Sequence, residues 1–477
     1  MPDGLFYGSL AAFGDMGECL HVRAINRRLN GKLEEYFQGQ YCALNIRFKL
    51  PPKPARYSPK TFLKNLTDEV PLYKHLLGDV SVGYFYFTPI RMALCVPSTC
   101  TQKDIQTLGS AVGDLAQLDV TVPFCEKLKP TEYTTLQLIA MGILAFFFCL
   151  VLLGTFLDVA PRLLQSWASH DTSSQCSEKD KEMRNNVALD VLLSFSAFSN
   201  GKRLLSTRTA IGVLEPLHGM RVITMAWIIL GHTFFYKSYV LSGGLFEALE
   251  YGKSFPFQIV LNVFPAVETF VTMSRPAVSF ALLAILGVSS VIAVGVLTYI
   301  WEFPPIPIFV DPDPDHFNEY MSYLGYRPYT HLTAFCIGMA TGYFLYKHKT
   351  LHINRVARLL GWLAAALVNM TVVFGVYNWN AYEAPSLSVA VAYAALSRTA
   401  WAFGIAWMVV ACATGNGGFI NKVLSWRAFV PLSRLTYLVY LVHPLLILWH
   451  TAYLKKPFYT TQFFVVSVQQ ERYKAEG

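Results

Sequence analysis

Beyond residue 130 the chain alternates between long apolar stretches and shorter polar segments. A helix needs about 20 consecutive apolar residues to cross the hydrocarbon core of a bilayer. About eight stretches come near that length, at 136–157, 220–241, 258–274, 276–300, 331–347, 356–377, 388–413 and 430–454. The pattern therefore predicts a mainly α fold, a multi-pass transmembrane helix bundle of about eight spans.

The first 130 residues follow a different pattern, in which short apolar runs alternate with polar and turn residues. The run YCALNIRFKL (41–50) predicts a strand that ends before two prolines. Residues 100–118 predict a helix that is capped after CVPST. We expect a small α+β module at 1–130, a first transmembrane helix at 131–158, a cytoplasmic loop at 159–213, a membrane domain at 214–456 and a tail at 457–477.

Five of the nine cysteines lie in the amino-terminal module, namely Cys19, Cys42, Cys95, Cys100 and Cys125. So many cysteines in a short polar module predict disulfide bonds and an oxidising compartment. An odd number leaves one cysteine unpaired, or paired with a residue that this chain lacks. No spacing of cysteines and histidines predicts a metal site.

The sequence Asn65-Leu66-Thr67 matches the acceptor pattern for N-glycosylation. It is consistent with the oxidising compartment that the cysteines predict. The first residues, MPDGLFYGSL, lack the basic start and apolar core of a signal peptide. We therefore expect the natural amino terminus to lie further upstream.

The composition agrees with a membrane protein, since only 15% of the residues are charged, against about 25% in a typical soluble domain. The net charge of +8 is spread in short runs beside the apolar stretches, which does not favour nucleic acid as a partner. Basic residues concentrate in 158–218, 347–358 and 422–427, whereas 301–330 is acidic. Because basic loops stay in the cytoplasm, the module is predicted to be lumenal or extracellular, at the endoplasmic reticulum or plasma membrane.

One region fits the pattern of spans poorly. Residues 258–300 are too long for one span and contain no loop between two. The single break is Arg275-Pro276, and proline starts a helix but rarely continues one. We expect a helical hairpin with almost no turn, and a join between originally distant segments near 274–276.

Four ionisable residues lie inside the predicted spans, where a charge costs about 2.5–3.5 kcal/mol on insertion scales and usually faces the protein interior. His232 is either a general base or an interior histidine bonded to a neighbouring helix. Glu268 is either a carboxylate that orients a histidine or a protonated, inert one. Arg398 binds a substrate phosphate or carboxylate, or forms a structural ion pair, with Glu268 as the candidate partner. His443 is a secondary candidate, because Pro444 after it frees a backbone carbonyl that a histidine can satisfy.

A fifth candidate lies nearer to the predicted cytoplasmic surface. Arg221 precedes His232 on the same predicted helix by about 16 Å at about 1.5 Å per residue. At this position it would either contact a phosphate-bearing donor or only set the orientation of the helix in the membrane.

Several segments together resemble one known family. They are GDMGECLHVRA (14–24), ALCVPSTCTQKDI (93–105), FSAFSNGKRLL (195–205), LEPLHGMRVITMAWIILGHTFFY (214–236), VLTYIWEFPPIPIFVDPDPDHFNEYM (296–321), LSRTAWAFGIAW (396–407) and LSRLTYLVYLVHPLL (432–446). The combination resembles the integral-membrane acyltransferase type 3 family. It is most similar to the animal branch, the nose resistant to fluoxetine proteins, which carry a cysteine-rich lumenal module before the membrane part.

The resemblance implies that 214–456 is an acyltransferase-type domain, which moves an acyl group from a donor such as acyl-CoA to a hydroxyl acceptor. The histidine of the family's GH motif is its proposed base and matches His232, and Glu268 stands where the family has an aspartate. Arginines would hold the donor's phosphates, with Arg221 and Arg398 as candidates. Acyl-CoA would be a co-substrate and not a tightly bound cofactor. The partners would be the bilayer, the donor and a small hydroxyl-bearing or lipid acceptor.

The chain departs from the family's pattern in several places. After VETFVTMS the family continues with a basic cytoplasmic stretch and several helices, whereas Arg275-Pro276 follows here. The chain also begins inside the lumenal module and ends in SVQQERYKAEG instead of a final helix. We therefore expect a truncated, acyltransferase-like protein with an internal block missing, which is inactive if that block is essential. The alternative is a non-catalytic membrane transporter or binder of lipids or small xenobiotics.

Overall fold

The computed structural model describes most of the chain. The described residues are 9–27, 33–49, 88–128, 133–168, 187–209, 214–235, 252, 254–272, 280–307, 314–348, 351–381 and 385–453. The predicted glycosylation site at Asn65 and the predicted join at 274–276 lie outside these residues.

The amino-terminal module is a five-stranded sheet with two helices. Its elements are β1 (Ala11–Ala12), α1 (Met16–His21), β2 (Arg23–Arg27), β3 (Leu33–Phe48), β4 (Ile90–Pro97), α2 (Gln102–Leu115) and β5 (Leu118–Lys127). The long strand β3 pairs antiparallel with β4 along one edge and with β2 and then β5 along the other. The predicted strand at 41–50 and helix at 100–118 are confirmed within a few residues.

Two disulfide bonds hold the module together. Cys42 and Cys125 stand at paired positions on β3 and β5 and are bonded. The bond between Cys19 and Cys95 ties α1 to β4. Cys100 remains a free thiol. The predicted disulfides are therefore confirmed, and the fifth cysteine is the one left over.

Helix α2 packs on the sheet through Ile105, which is buried with Val120 and Val122 of β5. Its amino end is a capping box. The Asp104 amide donates to the hydroxyl of Thr101 at 3.2 Å, and the Asp104 carboxylate accepts from the Thr101 amide at 2.8 Å. These bonds from Thr101 hold the pKa of the Asp104 carboxyl below its usual value. The capping box fixes the point where the helix leaves the strand before it.

The helices that follow the module are, in chain order, α3 (Thr135–Ala168), α4 (Val187–Leu193), α5 (Ala197–Leu204), α6 (Pro216–Phe235), α7 (Gln258–Leu261), α8 (Phe264–Thr272), α9 (Phe280–Ile300), α10 (Pro314–Tyr320), α11 (Pro328–Lys347), α12 (Arg355–Phe374), α13 (Tyr377–Ala381), α14 (Leu387–Ala413), α15 (Gly418–Leu424) and α16 (Phe429–Tyr453). A π-helical turn at Met321–Gly325 follows α10.

By contacts the chain divides into two compact units. The first contains Met1–Leu128, Ile223–Val423 and Val439–Gly477, and the second contains Lys129–Val222 and Leu424–Leu438.

In the second unit, a buried carboxylate organises the motif FSAFSNGKRLL. Asp158 of α3 accepts hydrogen bonds from the hydroxyls of Ser196 and Ser199 at the start of α5. The same carboxylate forms a 2.6 Å ion pair with Arg162, one turn further along α3. The motif therefore has a structural role in docking α5 against α3.

The carboxyl end of α5 is stabilised by hydrogen bonds from Arg434. The Arg434 guanidinium donates to the backbone oxygens of Arg203, Leu204 and Ser206 through one nitrogen and of Arg208 through the other. The last carbonyls of a helix have no hydrogen-bond partner within the helix. A cation at this end supplies hydrogen bonds to them and also interacts favourably with the helix dipole.

Five of the described helices are long and apolar enough to cross a membrane. The candidate spans are Thr135–Leu164, Leu283–Ile300, Arg355–Asn380, Leu387–Ala413 and Phe429–Thr451. A mainly helical, multi-pass fold behind a small disulfide-bonded module is therefore confirmed, with five spans by this criterion against about eight predicted.

The predicted span at 258–274 is wrong as a single helix, because the chain there is split into the short helices α7 and α8. Asn262 lies at the break, and its amide donates to the carbonyl of Val372 at 2.7 Å. Its side chain is buried, with 1% exposure. A buried amide that bonds a neighbouring backbone compensates for the interrupted helix. Hydropathy records the apolar residues of this segment but not the break.

We expect the Cys42–Cys125 bond to contribute substantially to the stability of the module. Replacing both cysteines with serine should lower the free energy of unfolding by about 2–5 kcal/mol, because the unfolded chain gains conformational freedom. Urea denaturation measures this change, with the susceptibility of the module to proteolysis as the readout of unfolding. Cys100→Ser is the matched control and should cost less than about 1 kcal/mol. Equal effects of the two replacements would contradict the assignment.

Candidate functional site

His232 of α6 contacts His443 of α16 directly. Nδ1 of His232 lies 2.7 Å from Nε2 of His443, and the two rings are nearly parallel, at 9°. His443 is buried, with 5% exposure. Nδ1 of His443 lies 2.9 Å from the backbone oxygen of Val439. The carbonyl is thus the one four residues earlier in the same helix, and not the one that Pro444 frees.

The Val439 carbonyl determines which ring nitrogens of His443 and His232 carry hydrogens. A carbonyl oxygen only accepts, so Nδ1 of His443 carries a hydrogen. In neutral His443, Nε2 then has the lone pair and accepts from Nδ1–H of His232. Neutral His232 must consequently be the tautomer with Nε2 unprotonated. This is the arrangement of a general base, in which a second group orients the ring from its far side.

Gly231 explains how α6 approaches the break between α7 and α8. A Cβ atom at residue 231 would lie 2.7 Å from the Val263 side chain. Only glycine allows this approach, which places the next residue, His232, beside the α7–α8 break. Trp227 donates its indole N–H to the carbonyl of Ile259 at 2.6 Å, one turn earlier on α6. The glycine of the GH motif therefore has a packing role.

A second polar cluster forms around Glu268 of α8, whose side chain is 1% exposed. Its Oε1 lies 2.6 Å from Nδ1 of His331, at the start of α11. The other ring nitrogen of His331 lies 3.2 Å from the backbone oxygen of Gly325. Of the two alternatives for Glu268, a carboxylate that orients a histidine and an inert one, the contact with His331 favours the first.

Arg398 of α14 completes this cluster. Its Nε lies 3.4 Å from Oε1 of Glu268. Its two terminal nitrogens donate to the backbone oxygens of Thr330 at 3.3 Å and Leu324 at 3.1 Å. Leu324 lies just before α11, and Thr330 lies in the first turn of that helix. The ion pair that the sequence offered as an alternative is therefore present, although the contact is long. Oε1 of Glu268 therefore has two partners in this cluster, the ring of His331 and the guanidinium of Arg398.

Arg398 also lines a pocket. The lining residues are Asn262, Phe264, Pro265, Val294, Pro305, Ile306, Tyr320, Leu324, Val372, Tyr393, Ala394, Ser397 and Arg398. Arg398 is the only cation among these residues, and the cavity that they enclose is small, with a volume of about 30 Å³.

The structure thus brings the predicted residues together in two groups, the His232–His443 pair and the Glu268–Arg398 pair. Arg221 lies in the second unit, one turn after His218 on α6.

The sequence analysis did not single out His331, because this residue lies at the edge of a predicted span and no motif marks it. Within the described part of the chain, no group of three histidine, cysteine or acidic residues could hold a metal ion.

The fold and these clusters define an integral-membrane protein with a disulfide-bonded module. The sequence profile described as "Nose resistant-to-fluoxetine protein, N-terminal domain" matches residues 1–109. No solved structure matches the chain. The full chain also aligns with a curated relative, nose resistant to fluoxetine protein 6 of Caenorhabditis elegans, at 22% identity. The chain is therefore similar to nose resistant-to-fluoxetine proteins, by the profile over residues 1–109 and by the relative over its full length.

The alignment with the worm protein covers 100% of this chain and 74% of the relative. It extends over 626 residues, although this chain has 477. The relative therefore carries segments without a counterpart here. The predicted position of the missing block, near 274–276, stays a prediction.

We predict that His331→Leu destabilises the protein more than Glu268→Gln does. Removing His331 leaves the buried Glu268 carboxyl without its short hydrogen bond, at a cost of about 3 kcal/mol. Glutamine keeps a neutral, hydrogen-bonding group beside His331 and should cost less than about 1.5 kcal/mol. Thermal unfolding in detergent compares the two variants. A larger loss for Glu268→Gln would show that an ionised carboxylate is required.

Proposed function

We propose that this protein is an acyltransferase-type membrane protein with His232 as its base. The observation that carries the proposal is the chain of contacts from Val439 through His443 to His232. It orients the ring of His232 and leaves Nε2 as the basic nitrogen. The family's GH motif supports the same residue.

In the proposed reaction, Nε2 of His232 takes the proton of an acceptor hydroxyl while the oxygen attacks the acyl carbonyl of a thioester. The tetrahedral intermediate then collapses, and the thiolate leaves with the proton from the imidazolium. A positioned base of this kind contributes about 10²–10⁴-fold. His443 is a positioning residue, because it touches His232 and not the reacting atoms.

Acyl-CoA as donor and a hydroxyl-bearing or lipid acceptor remain part of the proposal. Arg221 and Arg398 are the proposed contacts for anionic groups of the donor, as cations suited to phosphate. The module is proposed to face the lumen or the cell exterior, at the endoplasmic reticulum or plasma membrane. Its two disulfides support an oxidising compartment.

A second candidate function is binding or transport of lipids or small xenobiotics without catalysis. The specific observation in its favour is that the pocket is lined by Arg398 and by neither histidine of the pair. Flux of a labelled amphiphile across proteoliposomes, without any acylated product, would support this function over acyl transfer.

We expect His232→Ala to lower acyl transfer by about 10²–10⁴-fold, because the base is lost. His443→Ala should lower it by about 10–100-fold, since only the orientation of His232 is lost. Product formation from acyl-CoA by the purified protein measures both effects. His450→Ala is the matched control, because His450 lies on the same helix with an exposed side chain. Undiminished turnover after His232→Ala would rule out the base assignment.

A further inference from the structure

Three exposed basic side chains lie on α5 and just after it, in the second unit. Lys202 and Arg203 belong to the last turn of the helix, and Arg208 follows the helix. Within the described residues, none of these three side chains forms an ion pair. By contrast, Arg162 of α3 is paired with Asp158. The charge of the three side chains is therefore available to an anion outside the protein.

The backbone that carries these side chains is held at both ends. At the start of α5, the Asp158 carboxylate accepts hydrogen bonds from two serine hydroxyls. After the helix, the Arg434 guanidinium binds four backbone oxygens between residues 203 and 208. A backbone that is already ordered lowers the conformational entropy that is lost when a ligand binds. The three basic side chains consequently project from a fixed segment.

Two candidate spans place α5 along the membrane surface. A span that begins at Thr135 crosses the hydrocarbon core within about 20 residues, so Asp158 lies just beyond its far end. Arg434 lies near the start of another candidate span, Phe429–Thr451. Because α5 has eight residues, it is about 12 Å long, which is too short to reach across a bilayer. Both contacts therefore lie on the same side of the membrane, and α5 lies at the level of the lipid headgroups.

One face of α5 combines apolar and basic side chains. Phe198, Lys202 and Leu205 follow one another at intervals of four and three residues, so they are neighbours on the helix surface. Phe198 is 47% exposed and Leu205 is 66% exposed. Helices with exposed apolar and basic side chains are typical of segments that lie in the interface of a membrane. Basic side chains at that level attract anionic lipids.

We propose that α5 and the segment that ends at Arg208 bind an anionic phospholipid of the adjacent leaflet. The phosphate and other anionic groups of its head contact Lys202, Arg203 and Arg208, while Phe198 and Leu205 contact its acyl chains. A lipid fits this surface better than a soluble anion does, because exposed apolar side chains adjoin the cations. The site does not depend on acyl transfer.

The test compares two photoactivatable lipids in nanodiscs that hold the purified full chain. The nanodiscs consist of phosphatidylcholine with the same minor fraction of labelled phosphatidylserine or labelled phosphatidylcholine. Cleavage at acidic residues releases the peptide 191–215 from every variant, and mass spectrometry measures its labelling. Phosphatidylserine should label this peptide about tenfold or more better than phosphatidylcholine does. Equal labelling by the two lipids would overturn the proposal without any need for a variant.

Variants locate the contact. Lys202→Gln and Arg203→Gln should each lower the preference for phosphatidylserine about fivefold, which corresponds to about 1 kcal/mol for each basic residue near the surface. Both side chains are exposed, so the fold should tolerate the changes. Arg355→Gln is the matched control, because Arg355 is an exposed arginine at the start of α12 in the first unit. An unchanged preference in Lys202→Gln and Arg203→Gln, or an equal loss in Arg355→Gln, would rule out the site.

A soluble anion is distinguished from the lipid headgroup by exchanging salts. Sodium phosphate that replaces sodium chloride at equal ionic strength should leave the preference for phosphatidylserine unchanged. A loss of the preference in phosphate alone would assign the three cations to a soluble anion and overturn the proposal. Because labelling is measured without turnover, a failure of the acyltransferase assay leaves this result intact, and the reverse also holds.

Discussion

Burial of polar and ionisable side chains among apolar helices is the constraint on which this structure depends. A charge or an unpaired hydrogen-bonding group is expensive there, so each such group must find a partner in a neighbouring helix. His232 finds His443, Glu268 finds His331 and Arg398, and Asp158 finds two serines and an arginine. Except for Asp158 and Arg162, which lie on one helix, these pairings connect different helices and fix which faces of the helices meet.

The same constraint explains how far the sequence could be interpreted. Long apolar runs predicted the helices, and cysteine density predicted the disulfides, because both signals are local. Hydropathy also marked His232, Glu268, Arg398 and His443 as residues that need partners. It did not identify those partners, because pairing across helices depends on packing. His331 is an example, since it lies four residues into α11 and only the fold brings it to Glu268.

Hydropathy also could not predict the break between α7 and α8. Asn262 is one polar residue in an apolar stretch, and its effect depends on the Val372 carbonyl from a distant helix. The break in turn gives α6 a place to approach through Gly231. The GH motif thus combines a packing residue and a chemical one, which accounts for the adjacency of the two residues in physical terms.

If the contact with His443 prepares His232 as a base, nitrogen-15 NMR of histidine-labelled protein should detect the tautomer that this contact imposes. The His232 signals are assigned as those lost in His232→Ala. We expect a neutral ring with the proton on Nδ1 and an unprotonated Nε2, and a change in this tautomer balance when His443 is replaced by alanine. A proton on Nε2, or signals that do not respond to the loss of His443, would show that His443 does not prepare the base.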